Sequence, residues 1–215
     1  MAAARSPATE AQLTTEPPPE AMIAECLDLG VDVIDHGDEV DDELIARMAE
    51  AGTFWVPSLV YLWSLLEIGY ASHFGVSREN YDHVREMLPR ANDAGVRILL
   101  GDDYSGVFRH LIEDDPLDPE VGNYGRELAF YADIDGLSPA DVLTWGTKNA
   151  GQLLVDPPER VGVVEPGALA DLIVVDGDPL ADPTLLARPQ TALRAVIRDG
   201  ALVIDRLAGT TRGTT

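Results

Sequence analysis

Two apolar runs of this chain end in groups able to bind a metal ion or move a proton. Gly30 to Val40 reads GVDVIDHGDEV, and Gly95 to Gly106 reads GVRILLGDDYSG. Each opens Gly-Val, continues through aliphatics and breaks into histidine or paired aspartate. A neutral imidazole binds zinc or a similar ion, and a carboxylate ligates that ion or takes a proton from its water. His36, Asp102 and Asp103 are therefore the candidates for chemistry. Residue type alone leaves two readings open. A histidine after a strand is commonly a hydrogen-bonded core residue, and Asp-Asp is commonly a turn or a helix cap.

The surrounding elements must bring these groups together. Ala21 to Leu29 suits a helix stopped by Gly30, and Val31 to Asp35 a short strand rich in β-branched residues. Asp41 or Asp42 caps the next helix, whose Leu44, Ile45 and Met48 share one face and which Gly52 ends. A second strand lies in TFWVPSL, with Pro57 near its end, where a missing N–H is tolerable. The mostly apolar VYLWSLLEIGYASHFG follows, helix-like, as a lid or an extra packing element. Ser77 caps a long helix with Tyr81, Val84, Leu88 and Ala91 at helical spacing, and Pro89 inside it is expected to kink it. Gly95 ends that helix, and Val96 to Leu100 is the third strand. A loop-like stretch, Tyr104 to Asn123, precedes a helix around Tyr124 to Ala132. Ser138, Pro139 and Asp141 then give a strong start to the helix in SPADVLTWGTKNAGQLL. Helix and strand thus alternate, the signature of a parallel α/β fold. In such folds functional groups collect beyond the carboxyl ends of strands, where His36 and Asp102/Asp103 stand. After Leu154 the pattern changes to short strands with Gly turns at Asp171 to Val175, Leu193 to Ile197 and Ala201 to Ile204.

Composition narrows the partners. With 15 basic against 38 acidic residues and a net charge of −23, the chain lacks the clustered basic surface a nucleic acid requires. No apolar stretch approaches the roughly 18 residues of a spanning helix, and the first 20 residues lack the apolar centre of a secretory signal. A cytoplasmic protein, highly soluble and with no membrane partner, is the expectation. The single Cys26 excludes an internal disulfide and a cysteine-cluster metal site, and reads as a buried core thiol.

The phrases VDVIDHG, GVRILLGDD, SPADVLTWGTKNAGQLL and above all GVVEPGALADLIVVDGDPLADP…VIRDGALV resemble the carboxyl-terminal half of the amidohydrolase superfamily. The most similar group is the imidazolonepropionase-like and prolidase-like metal-dependent hydrolases, over about Ala21 to Asp205. The Pro-Gly-x-x-Ala-Asp run carries most of the specificity; His-Gly and Gly-Asp-Asp alone are weak. The resemblance implies an α/β chain with the last three strand-helix units of a (β/α)₈ TIM-type barrel, plus part of a small β-sandwich. Residues 1–20 would then be a disordered lead-in, 21–154 the barrel part, 155–207 the sandwich part and 208–215 a tail. His36 would be the histidine ending strand six and Asp103 the aspartate ending strand eight, with Asp102 in place of the threonine of Gly-Thr-Asp. In family members that aspartate contacts the metal and shuttles the proton of the attacking water, while the strand-six histidine is a metal ligand in two-metal members and contacts substrate or bound water in some one-metal members. The resemblance therefore makes Asp103 catalytic, and His36 and Asp103 ligands of a divalent metal, zinc before others. Trp63, on the segment after strand seven, and Tyr104 are the expected contacts to a small-molecule amide substrate. Outer-helix packing is an equal reading for Trp63.

The departures matter as much. Entire family members carry His-x-His after strand one, often a carboxylated lysine or a glutamate after strand four, and a histidine after strand five. None is present: His73 and His83 fall between strands, His110 follows strand eight, and the sole lysine, Lys148, lies in a late helix. The chain is expected to start just after strand five, as a truncated gene product, a mis-assigned start or one subunit of a split enzyme. Three strands cannot close an eight-stranded barrel, and two ligand-type residues fall short of the roughly three a catalytic zinc takes. The expected function is the carboxyl-terminal portion of a metal-dependent amidohydrolase cleaving a non-peptide or dipeptide-like C–N bond, inactive alone. Its expected partner is a second chain carrying the amino-terminal half. The alternative is a non-catalytic α/β fragment that serves only assembly.

Overall fold

Three apolar segments, each bounded by a glycine or a helix cap, pair side by side in a computed structural model of the chain. β1 (Val33–Asp35), β2 (Phe54–Val56) and β3 (Arg97–Ile98) form one parallel sheet in the order β1-β2-β3. Val33 pairs with Phe54, Ile34 with Trp55 and Asp35 with Val56, while Phe54 and Trp55 pair with Arg97 and Ile98 on the other side. The structure describes residues 20–101, 103, 127–153 and 160–207. Asp102, Tyr104 and His110 lie outside the described residues, as do nearly all of the lead-in and the tail. The chain divides into two compact units, one ending at Asp103 and the other beginning at Tyr104.

In the first unit the helices form where caps and periodicity place them. α1 (Glu20–Asp28) ends before the left-handed Gly30. α2 (Asp42–Ala51) is capped by Asp41, whose Oδ1 accepts from the Leu44 N–H at 2.8 Å, and ends at the left-handed Gly52. α3 (Leu59–Glu67) follows β2 almost at once, and α4 (Arg78–Asp93) begins with a capping box between Ser77 and Asn80. α4 is assigned as one unbroken helix through Pro89. Leu44, Ile45 and Met48 of α2 and Tyr81, Val84, Leu88 and Ala91 of α4 are buried, as their spacing requires. α3 is apolar nearly all round, and Leu59, Val60, Leu62 and Leu65 are all buried. Ile34, Trp55 and Ile98 fill the sheet's interior, so that β2 reads as a continuous apolar run rather than an alternating one. Helices and parallel strands alternate along this unit, which is therefore α/β.

The second unit holds α5 (Glu127–Ala132), α6 (Pro139–Thr144) and α7 (Ala150–Leu153), with a π-helical turn at Trp145–Asn149 between the last two. Ser138 and Asp141 make the capping box that the sequence pattern predicts. Tyr131 and Trp145 meet edge to face at 5.7 Å in its core. β4 (Leu172–Val175), β5 (Leu193–Arg198) and β6 (Ala201–Asp205) form an antiparallel sheet in sequence order, and every residue of β6 is exposed. Among the described residues no helix is long and apolar enough to cross a membrane.

Candidate active site

Beyond the carboxyl end of β1 the backbone turns sharply through two left-handed residues, His36 at φ 63° and Gly37 at φ 73°. Non-glycine residues are uncommon in that conformation, although histidine enters it more readily than most. Here both sides of the residue are tied. The His36 N–H donates to the Val56 carbonyl at 2.8 Å, and its carbonyl accepts from the Trp55 indole N–H at 2.6 Å. Gly37 fits because a Cβ there would press on Val40, the Trp55 indole nitrogen and Ile34. The imidazole is thereby projected from a fixed platform.

Asp103 arrives from the far strand. It too is left-handed, at φ 46°, and its Oδ2 lies 3.6 Å from His36 Nε2. The histidine side chain is 15% exposed and the aspartate side chain 52%, so the pair borders solvent. Gly101 makes this approach possible: a side chain there would run into Cγ1 of Val56. The expectation that the two chemical strand ends converge is met by the geometry, and the pair sits on the carboxyl side of the parallel sheet.

Two further groups belong to the neighbourhood and had not been singled out from the sequence. Tyr61, in the first turn of α3, has its ring 5.4 Å from the His36 ring and tilted by 43°, with Phe74 edge-on to it at 6.5 Å. Burial first, and then the charges of Asp103 and Asp38, raise the Tyr61 phenol above its ordinary range, so it stays a neutral O–H. Asp38 is only 1% exposed, and neither carboxylate oxygen has a hydrogen-bond partner among the described residues. Burial, and secondarily Glu39, pushes its carboxyl up to about 7. Nδ1 of His36 is likewise buried without a partner. Little in the sequence marks Tyr61, one aromatic in an apolar helix. The only sign at Asp38 is an acid inside a turn that apolar residues flank on both sides.

The other candidates fall as follows. Trp63 is half-buried on α3, two positions from Tyr61 and therefore about 200° around the helix axis from it. Tyr104 and Asp102 lie outside the described residues. His83 uses Nε2 in a 2.8 Å hydrogen bond with the Val40 carbonyl, a structural role, and His73 is exposed beside Tyr70. Among the described residues no three His, Cys, Asp or Glu side chains group to hold a metal ion. His36 and Asp103 fit a hydrolytic ion as two donors, an imidazole and a carboxylate of the right kind, and not as the roughly three protein ligands of a catalytic zinc.

Residues 19–203 match the model of the amidohydrolase family. Uncharacterized proteins of Mycobacterium tuberculosis and Mycobacterium bovis are 27% identical over 175 residues, covering 78% of this chain. The chain spans 42% of the length of these curated relatives. Among solved structures, an amidohydrolase is similar at 28% identity and a TM-score of 0.68, covering 87% of this chain and 43% of that one. A prolidase complexed with N-methylphosphonate-L-proline is similar at 29% identity and a TM-score of 0.65, covering 86% and 43%.

Proposed function

The chain belongs to the amidohydrolase family, and from that premise we propose that it forms the carboxyl-terminal portion of a divalent-metal-dependent hydrolase. The bond cleaved is the C–N bond of an amide or a dipeptide-like substrate. The observation that carries this reading is the pairing of His36 Nε2 and Asp103 Oδ2 at 3.6 Å, beyond the carboxyl ends of a parallel sheet. The likeness to a prolidase that binds a phosphonate of proline supports the dipeptide-like substrate class. In this reading β1, β2 and β3 are strands six to eight of a (β/α)₈ barrel. The antiparallel sheet β4 to β6 belongs to a small β-sandwich.

His36 and Asp103 would hold the ion, zinc before others, together with ligands from polypeptide outside these 215 residues. That polypeptide is either contiguous in a longer protein or a separate partner chain. When bound, the ion supplies Lewis-acid polarisation of the substrate carbonyl and an acidified water. The chain's own residues do the rest. Asp103, half exposed and anchored at a left-handed turn, takes the proton of the attacking water and passes it to the leaving nitrogen. His36 keeps its place through the Trp55 indole and the Val56 carbonyl, so the distance to Asp103 is set by the sheet. Tyr61, whose ring lies 5.4 Å from that of His36, keeps a neutral hydroxyl through its burial and the charge of Asp103, a group of the kind that donates to an oxygen on which charge develops.

The test is reconstitution. Residues 1–215 are co-expressed with a polypeptide carrying the family's first five strands and their histidines, and the product is assayed on simple amides and X-Pro dipeptides. Chelator-sensitive hydrolysis that Asp103→Asn abolishes is the expected result. A folded, metal-loaded complex that hydrolyses nothing across that panel would favour the assembly reading, which the incomplete donor set also suits.

A further inference from the structure

The backbone of His36 is fixed, but that does not fix the plane of its imidazole. The left-handed turn and the bonds to Val56 and Trp55 set only where the side chain starts. The outer torsion of a histidine side chain has a broad, nearly two-fold profile, so the ring can still turn. A histidine that serves a metal ion is ordinarily steered by a hydrogen bond on its other ring nitrogen. Here Nδ1 finds no hydrogen-bond partner among the described residues. Nor does Asp103 lock the ring, since its Oδ2 stands 3.6 Å from Nε2, longer than a hydrogen bond, on a half-exposed side chain.

What does meet the imidazole is an aromatic ring. The Tyr61 ring lies 5.4 Å from it at a tilt of 43°, within the roughly 4.5–7 Å at which ring pairs attract. Tyr61 is itself held. It stands in the first turn of α3 between Val60 and Leu62, both buried, so its backbone cannot shift without disturbing the core. Phe74, the last residue of a short 3-10 turn at Ala71–Phe74, meets the Tyr61 ring edge-on at 6.5 Å. That turn is docked in turn by the buried Ala71 and Val76, whose backbones are joined by a 2.9 Å hydrogen bond from the Val76 N–H to the Ala71 carbonyl. We propose that Tyr61 is the positioning residue of His36: its ring, braced by Phe74, sets the plane of the imidazole by packing and keeps Nε2 turned toward Asp103. The proposal deepens the hydrolase reading and rests on it only for what Nε2 would bind. The ring contact belongs to the chain alone.

The experiment therefore reads the ring and not hydrolysis. In the full chain, carbon-labelled at histidine and assigned through a His36→Gln comparison, the imidazole protons should show nuclear Overhauser contacts to the Tyr61 ring. Relaxation of the imidazole C–H bonds should give an order parameter near the ~0.85 of rigid backbone. Tyr61→Leu keeps an apolar side chain on α3 but removes the ring; the order parameter should fall below about 0.6 while the amide spectrum stays dispersed. Tyr61→Phe, a ring without the hydroxyl, should keep the parent's value. Phe74→Leu, which removes the brace and leaves Tyr61 in place, should give an intermediate value, and it carries the test if Tyr61→Leu does not fold. Absence of the Tyr61 contacts in the parent overturns the proposal. So does an imidazole as ordered in the folded Tyr61→Leu chain, or failing that in Phe74→Leu, as in the parent. Loss of order in Tyr61→Phe also overturns it, by assigning the part to the hydroxyl. Failure of the reconstituted enzyme to hydrolyse amides would leave this result standing, so the two readings fail separately.

Discussion

Trp55→Phe tests whether the platform under His36 is built as described. Trp55 is fully buried in β2, and its indole N–H donates to the His36 carbonyl at 2.6 Å. Phenylalanine keeps the strand and most of the apolar contact but removes the donor and part of the ring. The unfilled space, roughly 40 Å³, costs about 1 kcal/mol at the usual ~24 cal/mol per Å³. The stranded carbonyl costs about a further 1–2 kcal/mol, the lower part of the normal range because it is only partly buried. The total is about 2–3 kcal/mol, which for a chain of this size lowers the melting temperature by roughly 5–10 °C. Urea unfolding followed by far-ultraviolet circular dichroism measures it directly, with an unchanged m-value as the sign that the same structure unfolds. A variant within about 0.5 kcal/mol of the parent would show that neither the hydrogen bond nor the packing under His36 matters. The account of how its backbone is held would then be wrong.

Other consequences follow from the same geometry. Gly101→Ala puts a methyl group into Cγ1 of Val56, so stability should fall by about 1–3 kcal/mol; an unperturbed urea midpoint would count against the close approach that lets Asp103 reach His36. Tyr61 should ionise above the ordinary tyrosine range of about 10, and Asp103→Asn should lower its value, in phenolate absorbance titrations differenced against Tyr61→Phe. Because the folded value is raised, the native chain keeps a proton that the unfolded chain has lost, so stability falls as pH rises beyond about 10; Tyr61→Phe should remove that part of the decline. Residues 1–215 by themselves should bind zinc weakly in equilibrium dialysis and hydrolyse neither amides nor dipeptides; chelator-sensitive turnover by the single chain, lost in Asp103→Asn, would show that two donors suffice.

The sequence made some of this structure legible because some of its causes are local. Asp41, Ser77 and Ser138 cap helices by bonding to backbone three residues on, and Gly52 ends one by going left-handed. None of these depends on distant chain. The convergence of His36 and Asp103 was also legible, through the rule that parallel strands deliver their carboxyl ends to one side. Strand length was not. Val96 to Leu100 reads as a strand, but pairing leaves only Arg97–Ile98, since β3 has β2 on one side alone. Nor was the break in the helix after Ser138, where a π-helical turn at Trp145–Asn149 packs so tightly that a side chain at Gly162 would strike the Thr147 carbonyl. The burial of Asp38 and the approach of Tyr61 depend on what the tertiary fold lays over them, and no spacing records that.

One feature invisible to any pattern is where the backbone is strained. Of the four non-glycine residues with positive φ among the described residues, three follow the sheet's three strands: His36 after β1, Ser58 after β2 and Asp103 after β3. Such positions cost about 1–3 kcal/mol each and persist only where the surroundings over-determine them. A core histidine at the end of a strand needs no such turn, and its coincidence with two others on the same side favours a site. Ser58 offers the clean test, because it is fully buried, sits at the cap position of α3 and makes no side-chain cap bond there. Glycine at this position relieves about 1–2 kcal/mol of left-handed strain. It also gives back about 0.4–1 kcal/mol through the freer unfolded chain. Ser58→Gly should therefore leave the protein as stable as the parent or more so, by up to about 1.5 kcal/mol. If the strain serves the chemistry, the reconstituted enzyme should be slower with it, the usual trade of stability against a strained site. Chemical unfolding and turnover measured on the same preparations decide the matter. A destabilised Ser58→Gly would mean that the serine side chain, and not the turn, is what holds the start of α3.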